Sequence, residues 1–298
     1  MRSSSIDQRP PGRTDRPQDE DPQRDGSHRQ TAACPPGLYI VGIGPGDIEH
    51  LSLRAHTVLT AADAVAGYTT YIDLVRPLVG DKEMVSTGMK KEVARVAAAI
   101  DLARQGKRCA IISSGDAGVY AMAGLALEMC AKQEIAITPH RLVGDGDDVE
   151  AGRLYVEVVP GIPALCAGGA LLGAPLTHDF AAISLSDLLT PWETIAKRLE
   201  AAAAADFVIA LYNPKSKKRR DHLQRAQEIV LAHRGGETPV GIVSRAMREG
   251  QRVQLTRLDR LHEAEVDMQT IVFVGNGSTL VYGGCLVTPR GYADKYTL

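Results

Sequence analysis

Aromatic side chains are scarce in this chain of 298 residues: one Trp, three Phe and nine Tyr make up 4% of it. The core must therefore be aliphatic, and a hydrophobic content of 44% is enough for a packed globular protein. Cysteine is sparse too. Cys34, Cys109, Cys130, Cys166 and Cys285 stand far apart, with no Cys-x-x-Cys pair and no His-x-x-x-His. That pattern argues against a zinc site or a disulfide framework and predicts reduced thiols in a cytoplasmic protein without a resident metal. No apolar run approaches the roughly 18 residues of a membrane span, and the N-terminus lacks the apolar stretch of a signal peptide. A net charge of −2 leaves no overall basic face for a nucleic-acid backbone.

Residues 1–36 carry six Arg, six Asp or Glu, six Pro and almost no aliphatic side chains. Such a segment buries too little apolar surface to offset its ordering entropy and reads as a disordered tail. From Leu38 the character of the chain changes. Leu38 to Asp47 reads LYIVGIGPGD, a short apolar strand running straight into glycines. A strand of that kind brings bare backbone to the carboxyl end of a sheet, where ligands bind in open α/β folds. The loop fits neither familiar nucleotide pattern. A dinucleotide fingerprint counted from Gly42 needs glycine where Asp47 stands, and a Walker loop needs a lysine that is absent.

Downstream, strand and helix patterns alternate, which predicts parallel βαβ units. Ser52–Ala62 reads as a helix, Ala64–Ala66 as a strand start, and Gly67–Tyr71 as a polar aromatic turn. Glu92–Gln105 reads as an amphipathic helix with Val93, Val96, Ile100 and Ala103 on one face. Arg108–Ile112 is a strand feeding a helix near Val119; Leu154–Val159 is a strand, and Ala164–Leu172 a helix of small residues. The acidic, glycine-rich stretch 144–152 reads as a mobile loop. Further strands are expected at Ala181–Leu185, Asp206–Tyr212, Val240–Val243 and Thr270–Val274. Thr190-Pro191-Trp192-Glu193 reads as a capping box with Pro at the first helical position, and a long helix is expected to follow Asn213-Pro214-Lys215-Ser216 and run to about Arg234. The expected division is a tail (1–36), an N-terminal α/β domain (37–163) and a C-terminal α/β domain (164–298).

Five strand ends carry small or kinked residues: 42–47, 113–118, 160–164, 212–216 and 244–246. Their convergence at one cleft would make a ligand site. Taken in order, LYIVGIGPGD, IISSGDAGVYAMAG, VEVVPGIPALCAGGALLGAPLTHDF, VIALYNPKS and PVGIVSRAMR resemble the tetrapyrrole methyltransferases, enzymes that use S-adenosylmethionine (SAM) in siroheme and cobalamin synthesis. The likeness covers about residues 37–292. The turn Gly67–Tyr71, the segment Thr87–Glu92 and the run LYNPKSKKRR resemble the branch that methylates precorrin-3B at ring carbon 17 and contracts the macrocycle. The resemblance implies two α/β domains with SAM held between them, a homodimer, a small tetrapyrrole substrate, and neither nucleic acid nor membrane as partner.

Carried over position by position, it implies cofactor contacts at Pro45, Ser114, Gly115, Asp116, Val119, Pro163, Ala164, Tyr212 and Ala246. The carboxylate of Asp116 could accept from the α-ammonium of the cofactor. Substrate contacts are expected at Gly44, Gly46, Asp47, Lys91, Lys215, Lys217 and Lys218. In the basic run 215–220, five cations would oppose a helix dipole unless acidic substrate arms offset them. Lys90, Lys91, Arg245 and Arg248 could help on other sides. Ring contraction calls for a general base. Related enzymes place an aspartate in the turn after the second strand, where this chain has Tyr68, so Tyr68 and Lys90 stand as the catalytic candidates. Two rival readings remain at this level: a methyltransferase of the same fold acting on rRNA or diphthamide, and a non-catalytic nucleotide-binding module.

Overall fold

The structure, a computed structural model, describes residues 34–88, 91–142 and 149–297. Lys90, most of the acidic loop and residues 1–33 of the expected tail lie outside that range. Residues 34–36 are inside it and are tied down: the Tyr39 hydroxyl donates to the Pro35 carbonyl at 2.6 Å.

The first half alternates strand and helix as its periodicity requires: β1 (Gly37–Gly42), α1 (Leu53–Ala61), β2 (Ala64–Tyr68), α2 (Thr69–Val79), β3 (Glu83–Thr87), α3 (Glu92–Arg104), β4 (Arg108–Ser113), α4 (Met122–Lys132), β5 (Ile137–Pro139) and β6 (Leu154–Val159). The strands form one parallel sheet in the order β3-β2-β4-β1-β6-β5. Alternate residues of β1 feed opposite faces. Leu38 and Ile40 pack with α3 and α4, while Tyr39 and Val41 pack with α1 and α2. Central strands covered on both faces are apolar throughout, as β1 is. From β1 the chain leaves by α1 toward β2; from the adjacent β4 it leaves by α4 toward β5 on the other side. The two departures open a crevice at the carboxyl ends of β1 and β4.

The second half comprises α5 (Ala164–Leu172), β7 (Gly173–Ala174), β8 (Phe180–Ser184), α6 (Trp192–Ala204), β9 (Val208–Tyr212), α7 (His222–Leu231), β10 (Pro239–Ser244), β11 (Arg252–Arg257), β12 (Thr270–Val274), β13 (Leu280–Tyr282), β14 (Cys285–Val287) and α8 (Tyr292–Lys295). Its main sheet runs β11-β10-β12-β9-β8 and is mixed: only β8 and β9 pair in parallel, and β12 is antiparallel to both neighbours. The helices α6 and α7 cover one face, and α5 covers the other. The chain is thus an α/β fold of two sheet-centred halves, and the boundary expected at 163/164 falls between β6 and α5.

Several local expectations change. The turn after β2 is no open loop, because Thr69 directly starts α2, whose Pro77 sits near the end of the helix. On α3, Val93 is exposed, and the buried face is Arg95, Val96, Ala99, Ile100 and Ala103. The helix expected near Val119 begins at Met122. Pro191 is the N-cap of α6, with no side-chain cap bond, so the capping box does not form. The basic run precedes α7, whose N-cap is Asp221.

Candidate active site

Three strand ends of the first sheet meet as bare backbone. Gly44 and Gly115 form an antiparallel bridge, with Gly115 N donating to Gly44 O at 2.7 Å and Gly44 N to Gly115 O at 3.0 Å. Both adopt left-handed φ, +70° and +73°, which glycine alone takes without strain. A Cβ on Gly161 would lie 2.2 Å from Gly115 O and 2.7 Å from the Gly42 carbonyl carbon. The glycines therefore let the backbones after β1, β4 and β6 touch one another. Asp116 fastens the same junction: Oδ1 accepts from Gly118 N at 2.7 Å and Oδ2 from Gly161 N at 3.0 Å.

Above this junction a cleft opens toward the second half. Its walls include Pro45, Tyr71, Ser114, Gly115, Asp116, Val119 and Tyr120 from the first half. Pro163, Ala164, Tyr212, Asn213, Val243, Arg245, Ala246, Arg248 and the segment Met268–Ile271 supply the rest. The ends of β9 and β10 and the start of β12 reach the cleft together because β12 runs antiparallel, setting Ser244 beside Thr270. All nine positions expected around a cofactor line this one cleft. Tyr120, Asn213 and Arg245 on its walls are non-glycine residues with left-handed φ of 52°, 51° and 53°. Strained backbone of this kind clusters where function holds it.

Two links cross the cleft. Tyr120 donates to the Ala182 carbonyl at 2.9 Å, and its ring lies 5.1 Å from that of Tyr212. Arg248 reaches the other way. Its Nη2 donates to Ser114 Oγ at 2.6 Å, and its Nε donates to the Pro45 carbonyl. The Tyr212 hydroxyl accepts from Leu165 N at the start of α5, 3.0 Å away, and burial pushes its pKa up to about 12. That phenol stays neutral at physiological pH. Burial also lowers the pKa of Arg248, by disfavouring its charge.

Of the remaining described candidates, Arg245 and Arg248 line the cleft and the others fall outside its walls. Tyr68 ends β2 and packs edge-on against Tyr71 at 5.4 Å; Tyr71 is the phenol that faces the cleft. Gly44 is buried in the bridge, and Gly46 lies against the Arg248 stem. Asp47 is exposed and caps a short helical turn, accepting from Glu49 N at 3.1 Å. Lys91 is exposed at the start of α3. Lys215 and Lys217 line a shallow groove with Ser216, Arg220 and Val266–Gln269; it shares Met268 and Gln269 with the cleft. Lys218 is exposed beside it. Among the described residues no group of His, Cys, Asp and Glu is placed to hold a metal ion, and no helix is long and apolar enough to cross a membrane.

The family described as Tetrapyrrole (Corrin/Porphyrin) Methylases matches residues 37–262. The chain belongs to that family. A "Probable cobalt-factor III C(17)-methyltransferase" of Salmonella typhimurium is 47% identical over 255 residues, covering 86% of this chain and 99% of that protein. A "Cobalt-factor III methyltransferase" of Priestia megaterium is 46% identical over 88% of this chain, which spans only 46% of that longer protein. The crystal structure of the methyltransferase CobJ superposes with a TM-score of 0.74 at 32% identity, covering 85% of this chain and 99% of the other. A uroporphyrin-III C-methyltransferase from Thermus thermophilus, complexed with S-adenosylhomocysteine, shares the fold (TM-score 0.58, 24% identity, 80% of this chain and 97% of that one).

The residues of the cleft suit a cofactor of this kind. Ala164, Ala246, Val243 and Ile271 offer small and apolar surface for a flat base. Each Asp116 oxygen accepts one N–H, which leaves acceptor capacity for a cation.

Proposed function

We propose that this chain transfers the methyl group of SAM to ring carbon 17 of a precorrin-3B-type macrocycle, in its cobalt-containing form, during cobalamin synthesis, and that the ring contracts in the same reaction. The observation that carries the reading is the 47% identity to a C17-methyltransferase along 99% of that protein's length. The gathering of all nine expected cofactor positions in one cleft supports it.

SAM, when bound, supplies an electrophilic methyl on a sulfonium. The protein's task is then to align donor and acceptor carbon and to keep water out, and positioning of this sort can be worth an effective molarity on the order of 10⁵ M or more. The glycine junction under the cleft fixes the floor. Asp116 holds the loop that carries Ser114 and Gly115, and Tyr212 anchors the start of α5 beside Ala164. For the proton lost in ring contraction, Tyr71 is the better-placed phenol than Tyr68, because it lines the cleft. The reading also includes a cytoplasmic homodimer.

Incubation with SAM and cobalt-factor III, followed by mass and absorption spectra, tests this directly. Addition of one methyl with the spectral change of a contracted ring is the expected result. Methylation of RNA, or no transfer to any tetrapyrrole, would overturn it.

A further inference from the structure

Arg248 is a half-buried cation on the wall of the cleft, and its partners are all neutral. Nη2 bonds to the Ser114 hydroxyl and Nε to the Pro45 carbonyl, while Nη1 makes no hydrogen bond among the described residues. No carboxylate of the described residues lies within ion-pair reach of it. Two other arginines, Arg54 and Arg234, have one, whereas Arg95, buried on α3, bonds to Thr87 Oγ1 at 2.8 Å and to the Gly88 carbonyl at 3.3 Å. Arg54 holds Glu157 through a two-bonded fork at 2.7 and 2.5 Å, and Arg234 has Asp206 at 3.6 Å. A charge removed from water normally needs an opposite charge beside it.

The fold goes to some length to keep the side chain there. Arg248 comes from a loop after β10 in which Arg245 and Met247 both adopt left-handed φ, 53° and 56°. Its stem crosses the cleft over Gly46, where a Cβ would fall 2.3 Å from the Arg248 Cγ and 2.5 Å from its Nε. Only glycine at 46 leaves this path open. Arg248 lines the cleft, and a planar guanidinium fork is the group that recognises a carboxylate in bidentate fashion. Asp116 supplies the opposite charge elsewhere on the same walls.

We propose that Arg248 is a carboxylate-binding residue of the cleft: its Nη1 and Nη2 take a ligand carboxylate, with Nε still on Pro45 and Gly46 holding the side chain in place. The inference rests on the reading of the cleft as a SAM and tetrapyrrole site. Both ligands carry carboxylates, so the chemistry is shared and the source is a matter for measurement.

Calorimetry of the wild type and Arg248→Gln with three probes decides it: S-adenosylhomocysteine, methylthioadenosine (the same nucleoside without its amino-acid end) and cobalt-factor III. Arg248→Gln should weaken at least one carboxylate ligand on the order of 10- to 100-fold and leave methylthioadenosine unaffected. Loss for S-adenosylhomocysteine assigns the cofactor carboxylate; loss for cobalt-factor III alone assigns a substrate arm. Equal weakening of all three would reduce Arg248 to a clasp between loops and overturn the proposal, as would no change in any. A wild type that binds none of the three would sink the underlying functional reading instead. Should Arg248→Gln fail to fold, Gly46→Ala displaces the side chain without removing its charge and is read against the same three probes by the same criteria.

Discussion

The carboxylate of Asp116 accepts the backbone N–H of Gly161 at 3.0 Å, joining the loop after β4 to the loop after β6 across 45 residues of chain. The family resemblance offers this carboxylate to a cofactor ammonium; in the fold it is also a brace. Asp116→Ala leaves the Gly161 N–H without its partner in a partly buried place, at a cost of about 1–3 kcal/mol. Urea denaturation should show that loss, and S-adenosylhomocysteine affinity should fall with it. Full stability in the variant would mean that the brace is dispensable.

The glycines of the junction should not be equivalent. Gly161→Ala drives a methyl to 2.2 Å from Gly115 O, which the backbone cannot yield to easily, whereas the nearest atom to a Cβ on Gly115 is 3.5 Å away. At Gly115 the cost is only that of left-handed backbone, roughly 1–2 kcal/mol. Thermal denaturation of the two alanine variants should rank Gly161→Ala as clearly the worse. The reverse order would refute the contact argument.

Acid should weaken one surface link early. Hydrogen bonds from the Arg108 side chain and backbone hold the Asp63 carboxyl well below the usual carboxylate range, at about 2. Because its folded pKa is the lower one, the carboxylate stabilises the fold above its unfolded value of 3.8, and that stability disappears as pH falls toward 2. Asp63→Asn should therefore be less stable than wild type at pH 7, with the gap closing in acid. Urea midpoints taken at several pH values measure it, and a gap independent of pH would count against the pair.

Truncation separates the tail from the fold. Removal of residues 1–33 should leave melting nearly unchanged on composition alone. Removal of residues 1–36 also takes the carbonyl acceptor of the buried Tyr39 hydroxyl, which should cost about 1–3 kcal/mol more. Equal melting temperatures for the two truncations would show that this bond contributes nothing.

The lysines of the adjoining groove have a kinetic signature. Lys215→Gln with Lys217→Gln should raise KM for the tetrapyrrole and flatten its salt dependence, with S-adenosylhomocysteine binding unchanged. No stability gain is expected, since the run lies before α7 and outside its first turn. Steady-state rates at two salt concentrations check this; an unaltered KM at both would leave the groove without a substrate role.

Much of this site is legible in the sequence because glycine and proline mark it. β6, α5 and β12 match their expected spans, and β1, β4, β9 and β10 lie within a residue or two of theirs. Each strand that ends in small or kinked residues brings part of that stretch to the cleft. The hidden parts have no local mark. Met268–Ile271 reaches the site only through the antiparallel register of β10 and β12, a pairing between distant segments. The edge strands β3 and β11 are largely exposed; β3 lacks the alternation that identifies a strand, and β11 shows it only at Val253 and Leu255, too short a run to stand out. α2 is masked by Pro77, which reads as a breaker yet stands in the last turns of the helix. Tyr68 stands out over Tyr71 in the sequence because only the packing of α2 decides which phenol faces inward.

Every described strand of the first sheet comes from residues 37–159, and every described strand of the second half's main sheet and of its small sheet β13-β14-β7 from residues 173–287. Among the described residues no strand is borrowed across the divide. During synthesis the first sheet can close while the remainder of the chain is still on the ribosome, with no edge waiting for a distant partner. The cleft itself cannot form until β12 emerges, so the binding site is among the last parts of the molecule to be completed, and a ribosome stalled before residue 268 would carry a folded first half unable to hold its ligand.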